Sequence, residues 1–163
     1  WGLVEAAFGQ ALGSLAQMRA VEGAALEADI RGRIGGLRAM RDEIATLAAD
    51  APGAYRDALM RRIAELDAPL APDDPSLARE VALFADRCDV SEELTRLAAH
   101  FDHFEELCGA AEPCGRKLDF LCQEINREIN TIGSKTASAA VSRIVIDMKS
   151  ALEAVREQVQ NVE

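Results

Sequence analysis

From Val141 to Val162 the apolar residues fall at 141, 145, 148, 152, 155, 159 and 162, spaced alternately by four and three. A helix returns side chains to one face at that spacing, and a seam this regular is of the coiled-coil kind, packing within the chain or between subunits. The stretch Cys114 to Lys135 obeys the same period. Leu118, Leu121, Cys122, Ile125, Ile129 and Ile132 share one side, which predicts a packed face. Aromatic residues are only 4% of the chain while 49% is hydrophobic, so Ala, Leu, Val and Ile must fill the core. Short connections between such helices make them antiparallel neighbours. The expected fold is all-α, built of long antiparallel helical hairpins with coiled-coil-like packing.

Earlier in the chain, Leu3 to about Ala49 reads as one long helix or two, with Leu12, Leu15 and Met18 on one face and Leu26, Ile30, Ile34, Leu37, Ile44 and Leu47 continuing a stripe. Gly32, Gly35 and Gly36 weaken its middle and suggest a kink or a close helix contact. Asp50-Ala-Pro-Gly predicts a break, and Tyr55 to Leu66 a further helix, so that residues 1–68 form a helical hairpin region. Residues 69–75 form a Pro-rich linker within the loop Asp67–Pro75, because proline lacks the donor that a helix needs. Residues 76–163 form a C-terminal helical region. Asp74-Pro75 reads as N-cap and first helical position, Asp89 with Glu92 as a capping box, Gly133 as a C-cap, and Ser138 as the cap of the last helix.

No segment approaches the roughly 18 consecutive apolar residues of a membrane span, and no basic leader is present. A cytoplasmic protein with reduced thiols is expected, because Cys88, Cys108, Cys114 and Cys122 contain no CxxC pair. The chain starts with Trp1, which reads as a fragment of a longer protein. Net charge is −10, and it is uneven: residues 113–163 hold seven basic and seven acidic side chains, so the whole excess lies before them. This argues against passive nucleic-acid binding over the whole surface. RNA would need a local basic track, or metal ions between carboxylate and phosphate.

Two clusters have chemical vocabulary. Between Asp89 and Leu107, Glu92, Glu93, Arg96, His100 and His103 fall on one helical arc. They read either as an ordinary salt-bridged face or as acid, cation and imidazole gathered for catalysis. In the central stretch, Glu124 and Glu128 lie one turn apart around Arg127, beside Asp119, Gln123 and Asn130. Carboxylates so spaced suit a divalent ion completed by water and phosphate; the competing reading is a salt-bridged surface in which Arg127 neutralises both acids. Gly133-Ser134-Lys135 offers donors and a cation to a phosphate. The arginines at 31, 33, 38 and 41 read better as a solvated face with acidic partners than as an RNA contact.

These motifs also carry a resemblance. REVALFADRCDVSEELTRLAAHF between Arg79 and Phe101, then GRKLDFL, QE, NRE and NTIGSK between residues 115 and 135, then QVQNVE at residues 158–163 occur in that order and are similar to the YicC/YloC family of bacterial proteins. The resemblance implies an endoribonuclease that cuts single-stranded RNA with a divalent metal, Mg or Mn. It also implies a homo-hexamer, with neither membrane nor DNA as partner. Carried onto matching positions, it implies His100, Glu93 and Glu124 as catalytic residues. It implies Arg96, Lys117, Arg127, Asn130, Ser134 and Lys135 as RNA- or phosphate-binding, and Asp119, Glu124 and Glu128 as metal ligands. Ile129 departs from the family, which more often has a small residue there. The family's N-terminal domain is missing, so whether this fragment alone is active is left open. The alternative of another class is a non-catalytic helical oligomerisation or adaptor module that docks RNA or a partner nuclease.

Overall fold

The computed structural model describes residues 1–66, 74–110 and 112–162. Among them are five helices and no strand: α1 (Gly2–Glu65), α2 (Pro75–Arg87), α3 (Ser91–Cys108), α4 (Gly115–Lys135) and α5 (Ala139–Val159). The all-α expectation holds. The core forms where α3 and α5 pack along α1 from Ile30 onward and α4 packs across α3 and α5, while α2 packs near the far end of α1. Phe101, Phe104, Ile125, Ile129 and Met148 are fully enclosed. Both apolar seams bury as their spacing predicts, and that of α5 packs within the chain, against α1 and α4. Each neighbour of α4 runs antiparallel to it: Lys135 meets Glu93 and Arg96 meets Glu128 on α3, while Asp119 meets Arg156 on α5.

The expected break at residues 50–53 does not occur. α1 runs through Pro52 as one helix of 64 residues, so the described part of the expected hairpin region, residues 1–66, is not a hairpin. An internal proline costs about 3 kcal/mol, but packing holds both flanks. Ile44 is buried before it, and after it Tyr55 stacks on Phe84 of α2, ring centroids 3.9 Å apart. No atom of another element lies within 4 Å of a Cβ built at Gly32, Gly35 or Gly36, so these glycines serve no close helix contact. The expected Pro-rich loop lies for the most part outside the described residues.

Asp74 accepts from the Ser76 amide with Pro75 opening α2, and Ser138 caps α5 through the Val141 amide. The capping box at α3 forms only in part. Asp89 accepts from the Ser91 amide at 2.9 Å, but Glu92 turns to Arg96 instead of back to the helix start. Gly133 is no C-cap: α4 continues to Lys135. A Cβ at Gly133 would sit 3.1 Å from Cγ1 of Val145, so its missing side chain lets α5 approach α4 closely. All four cysteines are free, with Cys114 and Cys122 buried. No helix of the described residues is long and apolar enough to cross a membrane.

Candidate functional site

Along one edge of the α3–α4 contact, four ionisable side chains meet. Glu93 is 3% exposed and Glu128 5%. Both sit one step off an apolar stripe, Glu93 beside Leu94 and Glu128 between Ile125 and Ile132, so the packing that buries the stripe buries them too. A buried carboxylate needs a cation, and both helices supply one. Lys135 donates to both oxygens of Glu93, at 3.1 and 3.2 Å, and to the carbonyl of Asp89 at 2.9 Å. Arg96 reaches Glu92 at 2.5 Å, Glu93 at 3.1 Å and Glu128 at 2.9 Å. The contact to Glu128 is an ion pair set off the hydrogen-bonding axis. It leaves Nε of Arg96 and the buried Oε2 of Glu128 without a hydrogen-bond partner among the described residues. The Glu128 carboxylate is the chief cause that holds the Arg96 guanidinium above its ordinary pKa. From α1, Arg41 donates to the carbonyl of Leu94 at 3.1 Å and so backs the same turn.

One turn further along both helices, the register set by these pairs puts His100 and Glu124 on the same edge. His100 is half-buried, and no hydrogen bond or ion pair involves it among the described residues. Glu124 is also half-buried, and its ion partner is Arg127 at 4.0 Å. Past the edge, Gln123, Asn126, Arg127, Asn130, Thr131 and Ser134 line an open groove of about 500 Å³ on α4. Arg127 is the exposed cation of this face, with 76% of its side chain open to solvent. The hydroxyls of Thr131 and Ser134 donate to backbone carbonyls of their own helix. This leaves their oxygens free to accept.

The structure therefore brings Glu93, Arg96, Glu128 and Lys135 into contact, with His100 and Glu124 one turn along by register; Arg127 and Ser134 lie in the adjoining groove on α4, and Asn130 lines its far side, about 160° around the helix from Glu128. The structure does not bring Asp119 or Lys117 there. Asp119 accepts from Gln123 at 2.9 Å and from Arg156 at 3.3 Å, on the α5 side. Asp119 and Glu128 are nine positions apart, and at about 100° per residue that is half a circle. The expected metal trio Asp119, Glu124 and Glu128 thus does not converge within one chain. No three His, Cys, Asp or Glu side chains among the described residues are placed to hold an ion. Lys117 lies near the start of α4, 3.9 Å from Glu112. Lys135 is not a free phosphate ligand past the end of a helix, since Glu93 engages it within the last turn of α4. His103 is exposed. Arg31, Arg33, Arg38 and Arg41 all have acidic partners: Glu27, Asp29, Asp102 with Glu105, and Asp42. The burial of Glu93 and Glu128, and the part played by Arg41, are what sequence reasoning missed. The legible signal was two acids at core spacing, on helices that each carry a cation three or seven residues on.

Residues 44–163 match the family described as "Endoribonuclease YicC-like, C-terminal". Among curated proteins, the chain is 40% identical over 164 residues to "Probable endoribonuclease YicC" of Clostridioides difficile, an alignment covering 100% of this chain and 56% of that protein. It is 34% identical over 157 residues to the protein of the same description in Haemophilus influenzae, covering 96% of this chain and 54% of the relative. The chain spans about half the length of the curated relatives it matches.

Proposed function

This chain belongs to the YicC-like endoribonuclease family, and from that premise we propose that it forms part of an endoribonuclease cutting single-stranded RNA along the α3–α4 edge. The single observation that supports the site is one of register: His100, a half-buried imidazole with no hydrogen bond or ion pair among the described residues, falls level with Glu124, one turn from a buried ion cluster that fixes both helices. In this reading His100 takes the proton from the attacking oxygen or gives one to the leaving oxygen. Glu124 orients the attacking group. Arg127 neutralises the phosphate, and Asn130 with Ser134 in the adjoining groove contacts the strand. Unpaired RNA suits such a face, because its sugar and base edges are open to amide and hydroxyl groups.

Divalent metal is part of the proposal, with Asp119 removed from its ligands. Glu124 and the unpartnered Oε2 of Glu128 would hold Mg or Mn together with water and phosphate, and the ion would supply Lewis-acid charge at the phosphate. Homo-oligomeric assembly belongs to the same reading.

The test uses full-length protein and end-labelled single-stranded RNA. His100→Ala and Glu124→Gln should each lower cleavage by about 100-fold or more. EDTA should abolish it, and added Mn²⁺ or Mg²⁺ should restore it. Undiminished cutting by both variants would refute the site. A cyclic phosphate on the product would assign the attack to the 2′-hydroxyl instead of water.

A second reading is favoured by the commitment of Arg96 and Lys135 to carboxylates. Cations so neutralised lock a fold better than they grip phosphate. Under it the edge is structural, and the protein is a helical module that docks RNA or a partner nuclease. Purified full-length protein that binds RNA and never cuts it would establish that reading.

A further inference from the structure

The aromatic rings of the bundle are packed, with one exception. Phe101 and Phe104 are fully enclosed, and Phe84 stacks on Tyr55. Phe120 is 59% exposed. It stands on α4 clear of the buried stripe of Leu118, Leu121, Cys122 and Ile125. A single exposed apolar side chain is ordinary on a protein surface. The setting of this one is not. Arg116 lies one turn before it and Arg127 two turns after it. At about 100° and 1.5 Å per residue, the three share an arc of about 40° and span about 16 Å along α4. Both arginines are exposed. No hydrogen bond or ion pair involves Arg116 among the described residues, and the ion partner of Arg127, Glu124, stands 4.0 Å away. Asp119, the other acid close by, is held to the α5 side by Gln123 and Arg156.

Cation, ring face and cation in one line match what an unpaired nucleic-acid strand presents. Guanidinium groups take phosphates, and an open ring takes the face of an unstacked base. A purely apolar partner would cover the ring and leave both arginines uncompensated. Position adds to this. Phe120 is one turn from Glu124, about 40° round the helix, and one turn short of Gln123 and Arg127, where the groove on α4 begins.

We propose that Phe120 is the platform on which one unpaired base stacks beside the cleavage point, with Arg116 and Arg127 holding phosphates on either side. A purine is preferred there, because its two-ring face covers more of the phenyl. In that role Phe120 deepens the reading of the α3–α4 edge as an RNA site, on which it rests, by supplying what tells one base from another.

The experiment measures binding of full-length protein to oligoadenylate, oligouridylate and an abasic strand of equal length, by fluorescence anisotropy. Wild type should bind oligoadenylate more tightly than oligouridylate, and both more tightly than the abasic strand. Phe120→Ala should weaken oligoadenylate about fivefold or more, leave the abasic strand unchanged and narrow the gap between the two bases. Phe120→Trp should restore affinity and order. Leu83→Ala, which trims an exposed apolar side chain of α2, should change none of these. Equal weakening of all three strands by Phe120→Ala would mark the ring as structural, and no weakening would mark it as a bystander; either overturns the inference. So would a Phe120→Cys thiol that a maleimide cannot reach in RNA-free full-length protein, since the ring would then be covered by protein. If His100→Ala stops cleavage while Phe120→Ala binds and cuts like wild type, this inference falls and the edge remains the site. If no protein cuts RNA but base-dependent binding is lost with Phe120, the stacking stands and the nuclease reading falls.

Discussion

Glu128 is the residue on which the α3–α4 contact turns, because its charge is buried and a single guanidinium answers it. Removing one partner of such a pair leaves an uncompensated charge, which costs more than the pair itself contributes. Arg96→Ala, which strips a cation from Glu93 and Glu128 together, should lower the midpoint of urea denaturation. The double change Arg96→Met with Glu128→Leu should recover most of that loss, since neither charge is then stranded. A single Arg96→Ala that costs nothing would show the cluster to be loosely held. Cys122 sets a pH limit of its own. Burial pushes its thiol up to about 12 from an ordinary 9.0. Between those values the native state holds a proton that the unfolded chain gives up. That contribution to stability is complete below about pH 9 and declines as pH rises toward 12. Denaturant midpoints at pH 8 and pH 11 should diverge less in Cys122→Ala than in wild type.

At the scale of the helix, what was legible depended on whether the deciding force was local. The buried faces of α4 and α5 follow from spacing alone, because each residue's side of the helix is fixed by its number. The continuity of α1 did not follow. Pro52 and the glycines act locally against the helix, while the Tyr55–Phe84 stack that steadies the turn after Pro52 joins residues far apart in sequence. The site was legible to the same degree. Spacing put Glu93, Arg96 and His100 on one arc and Glu124 with Glu128 on another, and the two arcs do adjoin. Spacing on α4 also implied that Asp119 lies half a circle from Glu128. The partners of Lys135 and Arg96 depended on the register between helices, which no single helix encodes. Two substitutions test this division. Pro52→Ala should raise stability by about 1–3 kcal/mol in urea, since the helix already holds its course and regains a hydrogen bond. Gly133→Leu should lower it by a similar amount, about 1–3 kcal/mol, because the new side chain meets Val145 across the α4–α5 contact.

For the molecule as a whole, charge decides how RNA can be held. The chain carries a net −10, none of it from residues 113–163. On the proposed reading a single strand is repelled by most of the surface and held where α4 presents Arg127 among amides and hydroxyls. Arg96 and Lys135 are already neutralised by carboxylates, so few phosphates can displace counterions when RNA binds. Each phosphate neutralised contributes roughly 0.7 to the slope of log affinity against log salt for a single strand. A slope of about −1 to −2 per chain is expected from fluorescence anisotropy in rising KCl, and Arg127→Ala should make it shallower by about 0.7. A slope of about −4 or steeper per chain would require a basic track that this face lacks, and would move the RNA away from the α3–α4 edge. Arg127→Ala with an unchanged slope would say the same, because the exposed cation of the groove would then touch no phosphate.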